Sequence, residues 1–381
     1  MDKRKKLLIL VDWFAPGYKA GGPIQSCVNI CIALKNEYQI YVLTTDTDHG
    51  ETMPYNGIQS NKWVFNESLG AHIFYAKKTT LQANQLAAQI DFVNADFIYL
   101  NHLFSPYFVV YPLWLIYRNK IKGKMLVCPR GALYDSALSL KIYKKRPLLY
   151  LYRWMGMHKQ ITFHATNFRE QKAIQQYFPG SQIVVADNLP SLTQTDLVIC
   201  KKETGKLNCI FVSRIVPIKN LLFLLQILQG IRQQVTLTIV GPIENEGYWQ
   251  DCEKLINKMP ENIVIKYEGP KQKSELAALI QQNHLFILPT TGENFGHAIF
   301  EALLAGRPVL ISNQTPWLNL QTQHVGWDLP LSHKEIFAEA IQKMADADQE
   351  IFNQYAAAAW QYANNYISNT AHKEQYFNLF K

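Results

Sequence analysis

Leu285-Phe-Ile-Leu-Pro289 leads to Glu293-Asn-Phe-Gly-His-Ala-Ile-Phe-Glu301 and then to Gly306-Arg-Pro308. The first piece is a short, unbroken apolar run, the mark of a strand covered on both faces in a parallel sheet. Residues His297 to Ala305 read as a short helix, with Gly296 turning the chain into it, Gly306 capping its end and Pro308 stopping its continuation. A strand feeding a helix in this way is one step of an α/β fold. Glu301 falls inside that helix beside Ala298, Ile299, Ala302, Leu303 and Leu304, where a carboxylate is costly unless a partner meets it. Glu293 falls at the carboxyl end of the strand, where open α/β sheets bind ligands. The first N–H groups of the helix favour an anion at the same place. A phosphate-bearing ligand with hydroxyls for two carboxylates suits the segment.

The same alternation extends through the chain. Strands are expected at Leu7–Val11, Ile40–Thr44, His72–Tyr75, Phe97–Leu100, Met125–Cys128, Ile161–His164 and Ile183–Val185. They resume at Cys209–Val212, Leu237–Val240, Ile263–Tyr267, Leu285–Leu288 and Val309–Ile311. Between the two series lies a polar stretch with Pro190 and Gly205, which reads as a connection between two doubly wound units. At 381 residues, 48% hydrophobic and 18% charged, the chain can bury two separate cores. The expected division is 1–190, a linker at 191–206, and 207–359, with a helix at about 360–381 packing back on the first domain.

Several classes of function are excluded or disfavoured. The six cysteines include no Cys-x-x-Cys and no accompanying histidine cluster, which implies free thiols in a reducing, cytoplasmic compartment. Asp2-Lys-Arg-Lys-Lys6 followed by Leu7–Val11 imitates a signal peptide, but Asp12 ends the apolar run and a first strand fits better. Net charge is +8, with a local concentration at Lys141, Lys144, Lys145, Arg146, Arg153 and Lys159 among Tyr143, Tyr150, Leu151 and Trp154. Cations interleaved with aromatics and leucines suit an anionic membrane surface. No nucleic-acid-binding motif accompanies them, and nucleic acid is not an expected partner.

Three further segments bear chemistry. Phe211-Val-Ser-Arg214-Ile-Val-Pro217-Ile-Lys219 puts a guanidinium and an ammonium in one strand-to-helix loop, well suited to phosphate oxygens. Phe14-Ala-Pro-Gly17-Tyr-Lys-Ala-Gly21-Gly22-Pro23 follows the first strand and lacks the Gly-x-Gly-x-x-Gly spacing of a nicotinamide or flavin site. Gly21 and Gly22 allow backbone N–H groups to approach an oxyanion. Asn101-His102 follows another strand end, and Asp46-Thr-Asp48 reads as a polar loop rather than a metal site.

Taken together, these segments resemble the retaining glycosyltransferases of family 4, group 1 enzymes with Glu-x7-Glu of the kind found in bacterial surface-polysaccharide assembly. Ser213 stands where that family commonly has glycine. The resemblance implies a GT-B fold of two Rossmann-like doubly wound domains facing a cleft. It implies transfer from a UDP- or GDP-linked sugar to a lipid-linked or saccharide acceptor, without cofactor or metal. Glu293, His102, Arg214 and Lys219 would be catalytic. Gly21, Gly22, Arg214, Lys219, Asn294, Phe295, Gly296, His297, Ala298 and Glu301 would hold the donor, and Arg130 and Glu170 would line the acceptor side. The enzyme would be cytoplasmic and peripheral on the inner face of the cell membrane. A GT-B nucleotide-sugar epimerase and a non-catalytic nucleotide-sugar-binding subunit are the alternatives.

Overall fold

The computed structural model describes residues 3–138, 142–191 and 196–381. The chain divides into two compact units, Met1–Leu192 with Thr370–Lys381, and Thr193–Asn369.

The first unit holds β1 (Lys6–Leu10), β2 (Gln39–Thr45), β3 (Trp63–Asn66), β4 (Ala71–Ala76), β5 (Phe97–Asn101), β6 (Lys124–Cys128), β7 (Thr162–Ala165) and β8 (Gln182–Val185). They form one sheet in the order β3-β4-β2-β1-β5-β6-β7-β8. Successive side chains of a strand point to opposite faces, and both faces are covered here. Leu8, Leu10, Ile98 and Leu100 enter one core, while Leu7, Ile9, Phe97 and Tyr99 enter the other. That is why β1 and β5 read as continuous apolar runs rather than alternating ones. The order reverses between β1 and β5, so the ligand-binding crevice of such a sheet lies at their carboxyl ends.

The second unit holds β9 (Lys206–Val212), β10 (Gln234–Val240), β11 (Ile263–Tyr267), β12 (Leu285–Leu288), β13 (Val309–Ser312) and β14 (Gly326–Leu329), ordered β11-β10-β9-β12-β13-β14. Its switch point falls between β9 and β12, the strands that precede Arg214 and Glu293.

Two strands go beyond the sequence expectation. β3 pairs antiparallel with β4 at the sheet edge, and Val64 and Phe65 on it are exposed, so it lacks a buried strand's apolar run. β14 is only Gly-Trp-Asp-Leu, and Gly326 is required there because a Cβ would sit 2.0 Å from the Val309 carbonyl oxygen.

The connection differs from the expected linker at 191–206. Residues 192–195 lie outside the described residues, but those after them belong to the second unit. Arg307, wholly buried, donates to the Val198 carbonyl and packs over the Phe352 ring. Buried Lys202 donates to the carbonyls of Ala345 and Ala347, at 2.8 and 2.9 Å. It thereby caps the C-terminal end of the helix Lys334–Asp346, where a cation is favoured. The return to the first unit also comes later than about 360. The helix Gln349–Ser368 keeps Ala359 and Ala363 in the second core, whereas Tyr376, Leu379 and Phe380 join the first.

Candidate functional site

In the second unit, the loops after β9 and β12 are tied together before any functional side chain is considered. Thr291 N–H donates to the Ile218 carbonyl at 2.8 Å, and wholly buried Thr290 donates its hydroxyl to the same oxygen at 3.0 Å. Pro217–Lys219 forms a single 3-10 turn, ended by Asn220 at φ 61°. This geometry brings Lys219 Nζ onto Glu293 Oε1 in an ion pair whose side chains are only 15% and 11% exposed. Arg214, in the same loop, pairs with Glu244 at 3.0 Å and is more open to solvent, at 41%. Glu244 lies beyond β10 and carried no signal that sequence reasoning could use.

Gly296 adopts φ 81° at the start of the helix His297–Leu304, a left-handed conformation that favours glycine. A Cβ there would also meet Ile299 Cδ1 at 2.7 Å. The preceding carbonyl, that of Phe295, accepts the indole N–H of buried Trp317 at 2.5 Å. Trp317 also stacks on Phe300 and lies against Phe295 and Tyr366. The turn Asn294–His297 therefore rests on an aromatic floor, which the sequence motif did not reveal. Within the helix, burial raises the Glu301 carboxyl pKa, and the Lys273 ammonium opposes the rise.

In the first unit, the crevice at β1 and β5 gathers Gly21, Gly22 and His102. Gly21 at φ 66° precedes the helix Gly22–Leu34, which has proline in its first turn. Asn101 Nδ2 reaches the Pro23 carbonyl at 3.4 Å, joining the end of β5 to that loop. His102 takes φ 105°, a rare conformation for a residue with a side chain. Its Nδ1 accepts the Phe104 N–H at 3.3 Å, which leaves the proton on Nε2 in the neutral ring. Nearby Ser105 donates to Asp12 Oδ1 at 2.7 Å. Burial raises the Asp12 carboxyl pKa, opposed first by that hydrogen bond.

Arg130 and Glu170 serve the interior of the first unit. Arg130 donates to Asn101 Oδ1 at 2.8 Å, to the Tyr99 hydroxyl at 3.0 Å and to Asn188 Oδ1. Glu170 is wholly buried, accepting Gly131 N–H at 2.5 Å and Thr166 N–H and hydroxyl at 2.8 and 2.7 Å. Its two oxygens hold a loop.

Among the described residues, no cluster of histidine, cysteine, aspartate or glutamate has metal-ligand geometry. Asp346-Ala-Asp348 shares the spacing of Asp46-Thr-Asp48, and both of its carboxylates are structural. Asp348 caps the helix Gln349–Ser368 and Asp346 accepts the Gln233 amide.

Residues 206–347 match the family described as Glycosyl transferases group 1. An uncharacterized 41.2 kDa protein in the cps region of Klebsiella pneumoniae is 26% identical over 228 residues, 57% of this chain and 60% of that protein. The match thus spans less than two thirds of that relative's length. Among solved structures, Anabaena Alr3699/HepE in complex with UDP and glucose is similar at TM-score 0.71 and 15% identity, over 99% of each chain. The sucrose-phosphate synthase (tll1590) of Thermosynechococcus elongatus reaches TM-score 0.74 at 16% identity, over 99% of this chain and 98% of that one. WaaG, a glycosyltransferase involved in lipopolysaccharide biosynthesis, reaches 0.68 at 13%, over 98% and 99%. The chain has the GT-B fold of two parallel-sheet α/β domains, and the stretch that matches the group 1 glycosyltransferase family lies in its second unit.

Proposed function

We propose that this protein is a metal-independent, retaining glycosyltransferase of family 4. It moves a sugar from a UDP- or GDP-linked donor to a lipid-linked or saccharide acceptor in surface-polysaccharide assembly. The observation that supports this best is the meeting of Lys219 and Glu293 at the switch point of the second sheet, beside the helix that contains Glu301. A diphosphate binds Lys219 and Arg214 in place of their carboxylate partners. Glu293, released from Lys219, then orients sugar hydroxyls together with the Asn294–Gly296 backbone. The helix start at His297 and Ala298 faces the departing phosphate, where preorganised charge is worth most. Glu301 grips the ribose diol. In the first unit, Gly21, Gly22 and His102 serve the sugar and acceptor, while Arg130 and Glu170 shape the acceptor side from behind its surface.

The reaction breaks the bond from the anomeric carbon to the diphosphate and forms one to an acceptor oxygen on the same face, without a covalent enzyme intermediate. The cations and the helix start already supply positive charge for the leaving group. UDP and glucose in the Anabaena structure, and the cps setting of the Klebsiella relative, favour this donor and pathway class.

The helix Ile142–Trp154 supports a place on a membrane. Its exposed side chains include Tyr143 and Tyr150 at 69%, Leu151 at 45% and Trp154 at 84%, falling on one stripe at helical spacing. Lys144, Arg146 and Arg153 flank the stripe and are exposed. Lys145 instead donates to the Ala137 carbonyl, and Lys141 lies outside the described residues. Among the described residues no helix is long and apolar enough to cross a membrane. We assign the stripe, for its aromatics and flanking cations, to docking on the anionic inner face.

Product analysis tests the reading. An α-linked product from an α-linked donor, formed undiminished in EDTA, is expected. An inverted product, or activity lost in EDTA and restored by Mg²⁺ or Mn²⁺, contradicts it. An epimerised nucleotide sugar formed without acceptor favours the epimerase alternative.

A further inference from the structure

We infer that Asp48 is a positioning residue that holds the glycine-rich loop Gly17–Gly22 in shape for the transfer reaction; the inference rests on the function proposed above. The sequence reads Asp46-Thr-Asp48 as a polar loop, yet Asp46, Thr47 and Asp48 are buried, at 1%, 1% and 6% exposure. Asp48 Oδ2 accepts the main-chain N–H of Tyr18 at 2.8 Å and of Lys19 at 3.2 Å, while Oδ1 accepts that of His49 at 2.7 Å. Asp46 does similar work next door, accepting the Ser60 hydroxyl at 2.7 Å and Lys78 N–H at 3.0 Å.

The hydrogen bonds continue from Asp48 into the helix start. The Tyr18 carbonyl accepts Gly21 N–H at 3.0 Å, and the Gly21 carbonyl accepts Ile24 N–H at 3.1 Å. Gly21 stands at φ 66°, ψ −121°, a conformation outside the ordinary range for a residue with a side chain. A carboxylate accepting two N–H groups of one turn fixes that turn more firmly than a neutral acceptor does. Asp48 thus sets where Gly21 and Gly22 lie relative to the end of β1, without touching a ligand. Gly17 completes the fit: a Cβ there would run into the Tyr55 hydroxyl and lie 3.0 Å from Asp48 Oδ1. The Lys19–Glu51 ion pair ties the same two loops at the surface.

The test compares the wild-type chain with Asp48→Ala, which takes both carboxylate oxygens away from the Tyr18, Lys19 and His49 amides, and with Gly17→Ala, which crowds the same carboxylate. Hydrogen exchange at the Tyr18 and Lys19 amides should quicken at least tenfold in Asp48→Ala. With the UDP- or GDP-sugar that the wild type turns over, kcat/KM should fall at least tenfold in both variants. Binding of the free nucleoside diphosphate, a property of the second unit, should stay within twofold. Unchanged exchange, or quickened exchange with kcat/KM within twofold of wild type, overturns the inference. Loss of nucleoside diphosphate binding in step with kcat/KM also overturns it, by showing a general loss of structure. A wild type that turns over no donor removes the proposed function, and the inference with it, before any substitution is compared.

Discussion

Lys219 and Glu293 lie on different loops and meet where little water reaches them. Removing one member of such a pair leaves the other charge without compensation. Lys219→Ala should therefore weaken the transition state by about 2–4 kcal/mol, the scale of one lost donor to developing charge. Steady-state kinetics with a nucleotide sugar measures it. Glu301 makes a different case. Its folded pKa is raised by burial above the ordinary 4.5, so the folded protein holds the proton more tightly than the unfolded chain. Stability contributed by this group is then present below pH 4.5 and lost as pH rises through the folded value. Glu301→Gln removes that penalty. Its melting temperature should equal that of the wild type near pH 4 and exceed it at neutral pH, while nucleotide affinity measured by calorimetry falls. Unaltered affinity would make Glu301 purely structural. Both glutamates were legible in the sequence because a motif spaces them. Glu244 and Asp48 were not, because their partners come from distant loops and pair only after folding.

At the scale of elements, β12 was readable to the residue, since a buried parallel strand announces itself as a bounded apolar run. β11, an edge strand with only Ile263 buried, was readable from its β-branched residues. Edge strands β3 and β14 were not, being short and bordered by polar residues or glycine. The helix His297–Leu304 was also legible, but not the floor beneath its first turn. Trp317 is distant from the motif in sequence, and an indole N–H donating to a main-chain carbonyl has no sequence signature. Trp317→Phe retains an aromatic ring but leaves the buried Phe295 carbonyl unpaired, at a cost of about 1–3 kcal/mol. Denaturant unfolding should show that loss, together with a raised KM for the donor. An unchanged KM would confine Trp317 to the core.

For the whole molecule, the +8 net charge acquires a place once the exposed aromatic stripe of Ile142–Trp154 is seen beside Lys144, Arg146 and Arg153. Each cation near an anionic bilayer contributes about 1 kcal/mol, and added salt screens it. Reversing the three to Glu should release the protein from phosphatidylglycerol vesicles in co-sedimentation while leaving donor hydrolysis unchanged. Equal sedimentation of both proteins would return the stripe to plain solvent exposure. The density of cations was evident from the sequence. Which of them face outward was not, since Lys145 bonds to the Ala137 carbonyl.

The most direct measurement is nucleoside diphosphate release across a panel of UDP- and GDP-sugars, by the wild type and by Lys219→Ala. At least one donor should be turned over by the wild type, and release from that donor should fall about 30- to 1,000-fold in the variant, the kinetic equivalent of the loss estimated above. Release from no donor, or equal release by both proteins, would contradict a donor site built on Lys219 and Glu293.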